Sequence, residues 1–72
     1  MQRSSVQTYE AEVAKLEADL SPAELRAAVV TICRFTGLAL AGGGEQGRIA
    51  ARNMLRKAAR FQRAAARKEA RV

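Results

Sequence analysis

Val6, Tyr9, Val13, Leu16 and Leu20 recur at alternating steps of three and four, so they line one face of a helix. This spacing predicts a first helix from about Ser4 to Leu20, with Ser4 capping its start and Gln7 at the reciprocal position. Glu10 and Glu17 flank one side of the apolar seam, and Glu12 and Asp19 flank the other. A helix this short is marginal in water, so it is expected to lie against another helix.

Ser21-Pro22-Ala23-Glu24 opens a second helix on three separate grounds: a serine cap, proline at the first helical position and glutamate at the third. That helix continues through Leu25, Val29, Ile32, Phe35 and Leu40, with Val30 and Leu38 apolar on its far side. A helix apolar nearly all round is expected at the centre of a bundle. Gly37 would end it, kink it or let a neighbour approach closely, and the sequence does not choose among these. Gly42-Gly43-Gly44 breaks the pattern and predicts an interhelical loop. A third helix follows from Glu45 to about Ala70, its apolar stripe formed by Ala50, Ala51, Met54, Leu55, Ala58, Phe61 and Ala65. No segment alternates like a strand. The expected fold is all-α, with three helices in a single helical domain spanning residues 1–72.

Size changes this picture. A chain of 72 residues, with much of its hydrophobic content in alanine, builds a core worth only roughly 3–5 kcal/mol. One cysteine allows no intrachain disulfide, and the absence of histidine and of a cysteine cluster leaves no zinc site. Self-association is the remaining staple. A homodimeric helical bundle is expected, paired through the first two helices, with Val6, Tyr9, Val13, Leu16 and Leu20 at the interface. Cys33 lies among apolar residues and is expected to be a buried, reduced thiol, which favours the cytoplasm. The start, Met-Gln-Arg-Ser-Ser, has no apolar core behind it and predicts no leader. The most apolar run, Ala27 to Gly44, carries Arg34 in its middle, so no membrane span is expected.

Charge adds the functional clue. The net charge is +6 and the isoelectric point about 10.8, with nine Lys/Arg against Glu45 and Glu69 in residues 45–72. Arg52, Arg56, Arg60, Arg63, Arg67 and Arg71 step by four, four, three, four and four, which stacks them along one helix face nearly opposite the apolar stripe. The row spans about 28 Å at 1.5 Å rise per residue. Its like-charge neighbours cost roughly 1–2 kcal/mol at low salt, an energy that an anionic partner would recover. Lys57, Lys68 and Arg48 fall on the flanks, better placed than the row to meet the acids of the first helix.

Other patterns carry less. Gly42-Gly43-Gly44-Glu45-Gln46-Gly47 matches G-x-G-x-x-G, but it follows a helix in a chain too short for a βαβ unit. Arg48 beside the amides of the third helix remains a candidate contact for one anion. Cys33 has no histidine base, and no residue set specifies a reaction, so no catalytic residue, metal or cofactor is expected. Tyr9, Phe35 and Phe61 all fall on apolar faces, which favours duplex backbone contact over base stacking.

Small size, lack of catalytic groups and uneven charge resemble, in style and without a shared motif, the accessory regulators of phages and mobile elements. The expectation is a non-enzymatic regulator binding nucleic acid through its phosphates along the six arginines. The alternative is a protein-binding inhibitor or adaptor, of the anti-defence or host-takeover kind, docking its basic face on an acidic protein surface.

Overall fold

The computed structural model describes residues 5–71, with side chains from residue 8 onward. It is all-α: α1 is Ser5–Asp19, α2 is Pro22–Gly42 and α3 is Gly44–Ala70. The expected cap at Ser4 lies outside the described residues, as do the side chains of Val6 and Gln7.

The start of α2 follows local chemistry. Glu24 donates its backbone N–H to Ser21 Oγ at 3.1 Å, and Ser21 donates its own N–H to Glu24 Oε1 at 2.9 Å. With Pro22 just inside, the capping box is complete. The helix then passes through Gly37 without ending.

The three-glycine loop is shorter than the sequence suggests: Gly43 alone separates α2 from α3. Gly44 takes φ +57°, a left-handed conformation that glycine adopts without strain. The turn closes because Gly43 donates to the Ala39 carbonyl at 3.0 Å and Gly47 donates to the Gly43 carbonyl at 2.9 Å. A Cβ on Gly47 would stand 2.1 Å from the Ala39 oxygen, and one on Gly43 would stand 2.5 Å from Gly47 Cα. These glycines let two backbones pass closer than any side chain would allow.

From that turn α2 and α3 pack as an antiparallel pair, which is the most extensive contact in the fold. Leu25 and Val29 of α2 meet Ala58, Phe61, Ala64 and Ala65 of α3, and Val13 of α1 closes the cluster, with Leu20, Ala28 and Ile32 at its edge. Ala51 extends the alanine seam toward the turn. Thr36 is buried without penalty, because its hydroxyl donates to the Ile32 carbonyl at 2.8 Å.

Several expectations need correction. The far side of α2 is not covered: Val30, Phe35, Leu38 and Leu40 are 53–67 % exposed. Two partner helices cover one broad stripe of α2, and α1 lies on the Ala28, Thr31 and Ile32 side. Cys33 is exposed, not buried, and Leu55 is half-exposed. Of the α1 seam, Val13 and Leu20 go to the chain's own core, while Tyr9 and Leu16 stay about half-exposed. The molecule measures 43 × 37 × 13 Å, so its thinnest direction is about one helix diameter. By length and composition α2 could cross a membrane, with mean hydropathy 1.4 over its best 18 residues; Arg34 sits near its middle.

Candidate nucleic-acid interface

Arg52, Arg56, Arg60, Arg63 and Arg67 are carried by α3, whose 27 residues form one continuous helix, and Arg71 is its C-cap. Ala51, Ala58 and Ala65, seven apart and buried, turn toward α2. On a wheel of 3.6 residues per turn the arginines fall about 120–220° from Ala58, on the side away from α2. Arg52, Arg56, Arg63, Arg67 and Arg71 are all exposed, and none has an ion pair among the described residues. They form a ribbon of guanidinium groups facing solvent.

Arg60 is the exception. Its Nε donates to Glu17 Oε2 at 2.7 Å and its Nη1 lies 3.8 Å from Glu10 Oε1. The hydrogen bond from Arg60 holds the Glu17 carboxyl below its ordinary value of 4.5, with the charges of Arg60, Arg67 and Lys68 acting in the same direction against partial burial. The same contact raises the pKa of Arg60. At about 200° on the wheel Arg60 sits next to α1, so it serves as a strut between α1 and α3. Of the six arginines read from sequence, Arg60 is a strut to Glu17 and Glu10, and the other five form no ion pair among the described residues.

The flanking cations behave differently from expectation. Lys57 Nζ sits 5.0 Å from the centroid of the Tyr9 ring, a cation–π contact. Among the described residues Lys68 forms no ion pair: its ammonium donates to the carbonyls of Glu17, Ala18 and Leu20 at 2.8, 3.0 and 2.5 Å. These are the open carbonyls at the end of α1, where a cation also meets the negative end of the helix dipole. Arg48 is exposed near the start of α3. Glu69 is taken by Arg26 of α2, which donates to both of its oxygens and holds its carboxyl below the ordinary value.

The role of Lys68 had a signal in the sequence. The last turn of α1 contains Glu17 and Asp19 and no base, so its carbonyl end lacks a local cation. Only the fold shows which distant lysine supplies it. An open groove of about 770 Å³ lies between α1 and α3, lined by residues including Tyr9, Val13, Ala50, Met54, Arg56 and Lys57. It brings apolar surface next to the ribbon. Of the two amides on α3, Asn53 lies beside Arg56 in that groove, whereas Gln62 falls on the α2 side of the wheel.

Compared with known proteins, the chain matches no family model, no curated protein and no solved structure.

Proposed function

We propose that this chain is a small non-enzymatic regulator that binds nucleic acid along its phosphates, working as a homodimer in the cytoplasm. The observation that supports this most is the ribbon itself. Arg52, Arg56, Arg63, Arg67 and Arg71 stay exposed although α1 carries Glu10, Glu12, Glu17 and Asp19. Among the described residues, those acids form ion pairs with Arg60 alone of the row, although Glu17 also feels the charge of Arg67. A rod of about 28 Å at helical rise can follow several phosphates, and charge-assisted bonds from guanidinium to phosphate suit that task. The chemistry positions a backbone and reads no base, so affinity without sequence preference is expected.

The test is a titration on duplex DNA against salt. Four to five neutralised phosphates give a slope of log K against log salt of about −3.6 to −4.5. Replacing Arg56 or Arg63 with Gln should reduce the slope by about 0.9 each, while Arg60→Gln should leave it nearly unchanged, because that charge is already engaged. A flat titration would remove the proposal.

A protein-binding adaptor is the second reading, favoured by the exposed Phe35 and Leu38 on α2. Apolar anchors of that kind carry binding energy at protein interfaces more than rim charges do. A salt-insensitive partner would point there.

A further inference from the structure

We propose that the second copy of this chain docks on α2 through the stripe Val30, Cys33, Gly37 and Leu40. The inference deepens the two-copy part of the function proposed above and does not depend on nucleic acid. These residues step by three, four and three, which is the period of a seam between two packed helices. All four are exposed in the single chain. The four stripe residues carry no charge; exposed Arg34 borders them about 40° from Val30 on the wheel, where its long side chain can turn outward to solvent, and Arg26 at the amino-terminal end is already tied to Glu69.

Gly37 gives the stripe its specific shape. A glycine inside a helix costs about 0.5–1 kcal/mol relative to alanine, so its retention there needs a use. Gly43 and Gly47 have one within the chain, because their missing side chains admit neighbouring backbone. At Gly37 an added Cβ would meet nothing within 4 Å. The notch faces open space, and with Cys33 one turn earlier it lets a second helix come close.

The stripe is also its own complement. In a two-fold antiparallel crossing centred on residue 35, Val30 meets Leu40 of the partner subunit and Cys33 meets Gly37 of the partner subunit. Large residues then pack on large ones at the ends, and small ones pass each other at the centre. Isologous contacts of this kind close as dimers.

The exposed area agrees. The chain exposes 5524 Å² at 7.8 kDa, where a compact monomer of that mass exposes about 4,400 Å². Its radius of gyration is 13.7 Å, against about 11 Å for a compact chain of this length. The excess of about 1,100 Å² is summed over the whole chain; it exceeds the roughly 800 Å² per partner of a standard stable interface, and four of the large exposed apolar side chains, Val30, Phe35, Leu38 and Leu40, lie on α2. The arginine ribbon lies on the side of α3 away from α2, so this dimer leaves both ribbons open.

Light scattering after size exclusion, on nuclease-treated full-length protein, tests the proposal. The wild type should show the mass of two chains. The Cβ of Gly37→Leu would have nothing of its own chain within 4 Å, so this variant should keep its helical circular dichroism and weaken dimerisation at least tenfold. Val30→Lys, outside the core, should do the same and serves if Gly37→Leu misfolds. A wild-type monomer at about 100 µM would overturn both the dimer and its surface. A wild-type dimer that survives both substitutions while remaining helical would overturn this surface alone. The salt titration stands apart from either result.

Discussion

Gly47 shows how one missing side chain decides the geometry of a helix pair. Helix propensity alone says that Gly47→Ala should stabilise the chain by about 0.5–1 kcal/mol. The structure says the opposite, since the new Cβ would stand 2.1 Å from the Ala39 carbonyl oxygen. Forcing atoms into a closed contact typically costs about 1–3 kcal/mol, and here the obstacle is backbone. Gly47→Ala should therefore lower the urea midpoint, and a raised midpoint would mean that α2 and α3 do not meet this closely. In the sequence, Gly43, Gly44 and Gly47 read only as helix punctuation. Which of them supplies a positive φ and which admits a neighbour depends on how the chain brings the Ala39 backbone against Gly43 and Gly47, a three-dimensional fact that residue type does not carry. Ser21 and Glu24 were legible because their interaction spans only three residues.

At the scale of elements, α1 is the instructive case. Its seam was visible in Val13, Leu16 and Leu20, but the identity of what covers it was not. Val13 turned out to complete the α2–α3 core, and the fixing groups came from α3, where Arg60 and Lys68 are indistinguishable from other basic residues by spacing. The Lys68 ammonium bonds three carbonyls of the α1 terminus. Lys68→Met keeps most of the stem packing but removes those bonds, and should destabilise the chain by about 1–2 kcal/mol. Protease cleavage within α1 should accelerate with it, while α2 and α3 remain resistant. Unchanged cleavage would show that the cap does not hold α1. The apolar far side of α2 was misread for a related reason: hydrophobicity marks a surface to be covered without saying that the same chain covers it. Cys33 belongs to that surface.

For the whole molecule, acid is the simplest probe of what joins the helices. Glu17 links α1 to α3, Glu69 links α3 to α2, and Glu24 caps α2 through the Ser21 backbone and hydroxyl. All three carboxyls are held below the ordinary value of 4.5. A depressed carboxylate stabilises the fold fully above its unfolded pKa, and that contribution is lost as pH falls through the folded value. The melting temperature should therefore be level from neutral pH to about pH 5 and decline below 4.5, as thermal melts by circular dichroism would record. A melting temperature that holds steady into strong acid would refute these links.

The one-residue connection at Gly43 also orders events in time. Residues on either side of it meet across very short stretches of chain, so little loop entropy opposes the last turn of α2 and the first turn of α3 closing on each other. Pairing can then spread outward, like a zip, toward Leu25 and Phe61. The Arg60–Glu17 contact spans 43 residues and waits until that pair exists. Low sequence separation favours rapid assembly of the α2–α3 pair, and the 43-residue separation of Arg60 from Glu17 makes the α1–α3 contact the slower of the two to close.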